Sequence, residues 1–188
     1  MSKNVENRST FQCGDFNRSS STSDSSADSH TQEIKIWVDC SFQSKRRDSG
    51  IGIVITDADN NLLEEHSLTT SRLESSFDSE LISAVIALSL PSVLKSKVLE
   101  LHGDCTSVIE FLNAPDEHYG FEDKSEARRE LADNAREALC IHEGLDIYHD
   151  SDTQKDKAGK LMRRAHFLAK CALQNKPLAK CKFLTGPV

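Results

Sequence analysis

The chain predicts an α/β fold in which an antiparallel meander of three strands is joined by a parallel fourth. Three observations carry this. Residues 34–57 hold two β-branched runs, "IKIWVD" and "GIGIVIT", with strand-like patterning. An apolar helical stretch, "SELISAVIALSL", leads into another strand-like run, "KVLELHGD". A right-handed crossover through that helix would lay the fourth strand parallel to the first and beside it.

Each element follows from its residues. In "IKIWVD", Ile34, Ile36 and Val38 alternate with Trp37 and Asp39, giving a strand with two distinct faces. "GIGIVIT" follows a Gly and is β-branched, "DADNN" is a turn, and "LLEEHSL" reads as the third strand. The crossover helix must set Leu81, Val85 and Leu88 on the sheet, and Pro91 stops it. "CTSVIEFLN" reads as a short helix and "APDEHYG" as a loop. "DKSEARRELADNAREALCIHEG" is a charged helix with Leu131, Ala135, Ala138 and Leu139 as its apolar side. "LDIYH" is a fifth strand, and "KAGKLMRRAHFLAKCAL" a last helix ended by Pro177.

Composition narrows the class. The chain has 188 residues, is 37% hydrophobic and carries a formal net charge of -7, which suits one domain with a core. The sequence predicts a disordered arm over 1–32, a folded domain over 33–175 and a basic tail over 176–188. Twelve of the first 32 residues are Ser or Thr, too polar to offset their ordering entropy. No apolar run approaches the roughly 18–20 residues of a membrane helix, and the N-terminus lacks the apolar core of a secretory signal. Six Cys without a C-x-x-C pair argue against a zinc ribbon and for thiols in a reducing, intracellular compartment, cytoplasmic or nuclear. From Lys160 onward there are seven basic residues and no acidic one. That stretch is either a solvated basic face or a contact for phosphates, with Arg163 and Arg164 as the candidates.

Three acids stand where chemistry is expected. Asp39 lies near the end of strand one, Asp104 ends strand four and Glu80 opens the crossover helix. With strands one and four adjacent, both Asp emerge at neighbouring strand ends, where open α/β sheets bind ligands. Three converging carboxylates repel one another, and their burial adds to the penalty. A divalent cation resolves both problems, and oxygen-only ligation suits Mg²⁺ or Mn²⁺. The matching chemistry is phosphodiester hydrolysis. Taken singly, each acid has a plain structural explanation, such as Glu80 complementing a helix dipole.

"WVDCSF", "SELISAVIAL" and "LHGDCTSVIEFL" resemble the first three acidic motifs of type 1 ribonuclease H and the related plant and retroviral RNase H-like domains. The resemblance runs from about Glu33 to Leu173. It implies the RNase H-like fold, a mixed five-stranded sheet with helices on both faces. It implies a monomeric endoribonuclease that cuts the RNA strand of an RNA–DNA hybrid with Mg²⁺ or Mn²⁺, with Asp39, Glu80, Asp104 and His149 as catalytic residues. His149 takes the place of a mobile loop His that assists water activation or product release. Ser41 and Thr106, beside the first and third acids, are expected to touch the nucleic acid.

The chain also departs from the family. The fourth carboxylate of the family would fall at Gly159, which has no ligating group. Asp156, one turn earlier, is the expected substitute, with Asp152 a poorer one. Cys40 replaces a Gly used for close approach to the RNA strand. "SSFDSE" replaces an Asn-rich stretch before the helix Glu, and the family's basic protrusion looks absent. These changes leave a second reading, a degenerate RNase H-like module that binds without cutting.

Overall fold

The computed structural model describes residues 31–114, 125–150 and 155–174. Apart from Thr31 and Gln32, the expected Ser-rich arm lies outside the described residues, as do the basic tail and Asp152. The elements run β1 (Glu33–Gln43), β2 (Asp48–Asp57), β3 (Leu62–Ser71), α1 (Ser76–Leu88), a 3₁₀ turn (Val93–Lys95), β4 (Lys97–Gly103), α2 (Thr106–Asn113), α3 (Glu126–Ile141), β5 (Asp146–His149) and α4 (Lys157–Leu173). They form one five-stranded sheet in the order β3-β2-β1-β4-β5. β1 pairs antiparallel with β2 and parallel with β4, and β4 pairs parallel with β5. This is the predicted mixed sheet.

Both faces of β1 are covered, which explains its nearly continuous burial. Ile34, Ile36 and Val38 join Ile51, Ile53 and Ile55 of β2 in a core shared with α1, α2 and α3. Trp37 and Val54 face the other way, onto Leu161, Met162, Ala165 and Leu168 of α4. The turn between β2 and β3 is fixed by Asp57, whose carboxylate accepts the N–H of Asp59 at 2.9 Å and of Asn61 at 2.8 Å, the local closure expected of an Asx turn.

Two glycines set how α4 lies on the sheet. A Cβ at Gly52 would stand 1.9 Å from the Ala165 carbonyl oxygen, and one at Gly50 would stand 2.0 Å from that of Ala169. Two strand residues advance about 6.6 Å and four helical residues about 6 Å. Glycines at i and i+2 therefore match alanines at i and i+4. The helix backbone sits directly on the β2 backbone, with its register fixed.

α1 is anchored just as firmly. Ser75 caps it by accepting the Asp78 N–H at 3.2 Å. Asp78 is buried, and Arg128 of α3 grips its two carboxylate oxygens at 2.7 and 3.0 Å while also donating to Ser75 at 2.8 Å. A bidentate charge-assisted pair of this kind fixes geometry as well as adding energy. It ties the first turn of α1 to α3, two residues before Glu80. Among the described residues, no helix is long and apolar enough to cross a membrane.

Candidate metal centre

The register of the parallel ladder brings the two aspartates together. The last β1–β4 pair is Trp37 with His102. Two residues further along each strand come Asp39 and Asp104, where the strands part and leave a cleft. Glu80 enters from α1, held by the cap and by the Arg128 clamp below it. One oxygen from each of Asp39, Glu80 and Asp104 lies within 4.8 Å of the others. Three separate elements thus converge on one point, as the sequence predicts.

The electrostatics of the cluster are adverse without a cation. Burial, then the charge of Asp104, pushes the Asp39 carboxyl from the ordinary 3.8 up to about 6, while His166 pulls it back. Burial, followed by the Asp39 and Asp104 charges, pushes Glu80 from 4.5 up to about 8, against a hydrogen bond from Cys40. Cys40 is itself buried, and burial with the neighbouring Glu80 charge holds its thiol protonated. The thiol that stands in place of glycine thus lies beside Glu80 in its protonated form. Three converging carboxylates, Asp39 buried and Glu80 and Asp104 partly buried, fit a hard divalent ion. Ion binding would displace the proton that Glu80 otherwise keeps.

The last helix corrects one expectation. Asp156 does not join the cluster. Its carboxylate accepts the Gly159 N–H at 2.9 Å and caps α4, satisfying an orphan donor of the first turn. The register explains why. With Ala165 above Gly52, α4 begins at the opposite end of the sheet from Asp39, where Lys157 reaches the Asp59 carbonyl at 2.8 Å. Ten helical residues, about 15 Å of rise, separate Asp156 from the residue that does reach Asp39. That residue is His166, whose Nδ1 lies 2.6 Å from Asp39 Oδ2. It was not singled out from the sequence. The signal was present in the pairing of "GIG" on β2 with Ala165 and Ala169 on α4, which fixes the helix position and so the residue facing Asp39.

The other expected site residues are placed as follows. His149 is exposed, and its Nε2 donates to the Asp104 carbonyl at 3.0 Å, putting the ring at the rim of the cluster. Ser41 is half-buried on β1, its carbonyl accepting from Ser49 at 3.3 Å, and Thr106 is exposed at the head of α2. Arg163 is half-buried on α4. Arg164, the other expected phosphate contact, is paired within the fold. Its guanidinium is held by both carboxylate oxygens of Glu65 on β3, one of them at 2.6 Å, and lies over the Phe167 ring.

A polar stack buttresses the β4–β5 side. His102 lies parallel to Trp37 at 4.6 Å and near-parallel to Tyr148 at 5.2 Å. Its Nδ1 meets Asp150 at 2.5 Å and its Nε2 meets Glu100 at 2.9 Å. Asp150 also donates its N–H to the Gly103 carbonyl at 2.8 Å. The strand exit that carries His149 is thereby tied down next to Asp104.

Known proteins share this fold. The profile of the reverse transcriptase-like family matches residues 37–139. Among solved structures, RNase H1 from the halophilic archaeon Halobacterium salinarum NRC-1 is 21% identical with a TM-score of 0.59, covering 76% of this chain and 98% of that one. LC11-RNase H1, isolated from compost by a metagenomic approach, is 19% identical with a TM-score of 0.58, covering 77% and 97%. The same LC11 enzyme in complex with an RNA/DNA hybrid gives 19% identity and a TM-score of 0.52, covering 74% and 99%. No curated protein sequence matches the chain. The structural matches establish the fold, and the profile spans more than half of the sequence, so the chain belongs to the reverse transcriptase-like family of the RNase H-like superfamily.

Proposed function

We propose that this protein is a metal-dependent endoribonuclease that hydrolyses the RNA strand of RNA–DNA hybrids. The observation that carries the reading is the convergence of Asp39, Glu80 and Asp104 from three elements to within 4.8 Å. The likeness to an RNase H1 that binds an RNA/DNA hybrid supports the choice of substrate. A bound divalent ion, Mg²⁺ or Mn²⁺, would supply water activation and alignment of the scissile phosphate.

The chain's own residues do the rest. Asp39, Glu80 and Asp104 hold the ion. The Cys40 thiol lies beside Glu80, and the Arg128–Asp78 clamp fixes the turn that presents it. His149, anchored at the Asp104 carbonyl and open to solvent, is positioned to give a proton to the departing ribose oxygen. Ser41 and Thr106 flank the cluster and supply hydroxyls for the nucleic-acid backbone. Arg163 and Arg164 of α4 are the phosphate candidates, Arg164 from its place beside Glu65.

The test is cleavage of an end-labelled hybrid in Mg²⁺ and in Mn²⁺, beside single-stranded RNA, duplex RNA and duplex DNA. Internal cuts confined to the RNA strand of the hybrid, abolished by Asp39→Asn, are expected. Hybrid binding without cutting in either ion would replace the nuclease with the degenerate module. Cutting that survives Asp39→Asn comes from a contaminant.

A further inference from the structure

The hairpin between β1 and β2 carries Lys45, Arg46 and Arg47 in succession, all exposed, and Arg72 is exposed just past β3. The ladder brings them together. Asp48 pairs with Ser71, so Arg47 and Arg72 are the next residues out on neighbouring strands. The Leu73 N–H donates to the Arg47 carbonyl at 3.1 Å, and the Arg47 guanidinium donates to the carbonyls of Leu73 at 2.9 Å and Arg72 at 3.3 Å. The Arg46 N–H closes the turn on the Gln43 carbonyl at 3.1 Å. Four cations thus share one rim of a chain whose formal net charge is -7. The acids beside them in sequence leave it cationic. Asp48 pairs with Arg46 at 2.9 Å, and Glu74 accepts from Ser125 at 2.8 Å. Arg46 is still 60% exposed, and a surface pair of this kind is easily exchanged.

Two of the four arginines and lysines sit on a backbone that does not suit them. Arg47 has φ 55° and Arg72 φ 68°, the left-handed region that glycine or asparagine fills at less cost. Arg47 has a structural reason to be there, since its guanidinium clamps the hairpin to the end of β3. Arg72 has none of that kind: among the described residues, neither its side chain nor that of Lys45 meets a carboxylate. The rim also has a defined place. Gln43 lies four residues beyond Asp39 on β1, about 13 Å along the strand, at the end of the sheet to which the parallel strand β4 delivers Asp104. One strand of a B-form duplex carries a phosphate every 3.4 Å or so of axis, so this span corresponds to about four nucleotides.

We propose that Lys45, Arg46 and Arg72 form a phosphate-binding ledge that holds the nucleic-acid backbone about four nucleotides from the cut, with Arg47 as the brace that ties the hairpin to β3. The inference rests on the hybrid reading above and deepens it, by assigning a contact outside the acidic centre. An acidic chain repels a polyanion as a whole, and affinity must come from local neutralisation of phosphates. Contacts of this type set register on the duplex and carry no sequence information. The ledge therefore acts on where the duplex lies, and the acidic centre on what happens there.

Fluorescence anisotropy of a labelled hybrid, titrated with the full chain at several salt concentrations, tests the ledge. Asp39→Asn serves as the parent, so that no substrate is consumed. Lys45→Gln combined with Arg72→Gly removes two charges, and glycine suits the left-handed backbone at 72, so the variant should melt no lower than its parent. The expected result is weaker binding, equally on hybrids of unrelated sequence, with a salt dependence flatter by roughly 0.7–0.9 units of slope per charge removed. A second arm uses a short hybrid with one wild-type cleavage position. Uncharged methylphosphonate linkages are placed about four nucleotides from it, on each side in turn. On one side they should weaken the parent and leave the variant unaffected. The salt arm gives its answer even if the chain binds hybrids without cutting them. An unchanged slope in a parent that binds the hybrid would overturn the ledge and leave the hybrid reading standing, as would equal sensitivity of parent and variant to the neutral linkages. Failure of both the parent and the wild type to bind the hybrid would overturn the ledge and the hybrid reading together.

Discussion

Raising the pH of the metal-free protein should destabilise it through Glu80. Burial and neighbouring charges lift Glu80 from 4.5 to about 8 in the folded chain, and Asp39 from 3.8 to about 6. Both carboxyls are more basic folded than unfolded. Their contribution to stability is greatest below about pH 4 and is lost as the pH rises through about 6 for Asp39 and about 8 for Glu80. Between pH 5 and 8.5 the Glu80 term alone amounts to roughly 4 kcal/mol, a large part of the 5–15 kcal/mol that a domain typically has. Urea unfolding in chelator at several pH values measures it, with Glu80→Gln as the reference, since the amide keeps the shape and does not titrate. The wild type should lose stability relative to Glu80→Gln across this interval, and saturating Mn²⁺ should restore it. Parallel pH profiles for the two proteins in chelator would refute the reasoning, because they would mean that Glu80 ionises in the cluster without penalty.

Other outcomes follow from the same geometry. Asp104→Asn should raise the metal-free melting temperature at pH 8 by relieving repulsion, and should abolish the thermal shift produced by millimolar Mg²⁺ or Mn²⁺. Asp156→Ala should cost about 1 kcal/mol as a lost helix cap and leave metal affinity, read by calorimetry, unchanged. Gly52→Ala should destabilise by about 1–3 kcal/mol, as overpacking does, because its Cβ would meet helix backbone at 1.9 Å. Arg128→Ala should free the first turn of α1 and lower hybrid cleavage without removing any cluster carboxylate.

The sheet order and the three-acid cluster were legible because local patterns dictate them. Alternation in "IKIWVD", a turn in "DADNN" and a crossover helix leave few topologies, and the parallel register then puts Asp39 and Asp104 in one row. The residue that α4 presents to Asp39 was not legible from spacing. A helix can slide along a sheet by whole turns without changing its apolar stripe, so Gly159 or Asp156, about two and three turns earlier, suits the pattern of α4 as well as His166 does. What fixes the slide is a close backbone contact between Gly50 or Gly52 and alanines more than a hundred residues away. The pairing of Arg164 was not legible for a similar reason. Its partner Glu65 lies on a distant strand that faces it only after α4 has docked.

The chain contains a single tryptophan, and its position gives the protein an intrinsic optical reporter. Trp37 is two residues from Asp39, and its indole lies flat against His102, whose strand runs on to Asp104. An imidazole stacked at 4.6 Å with two carboxylates at its edges is a strong local influence on an indole's emission. Any ion that draws Asp39 and Asp104 together adjusts that stack from the next residues along both strands. Ion loading, acidification and opening of the strand ends can therefore be followed from one native fluorophore, with no label and no nucleic acid present.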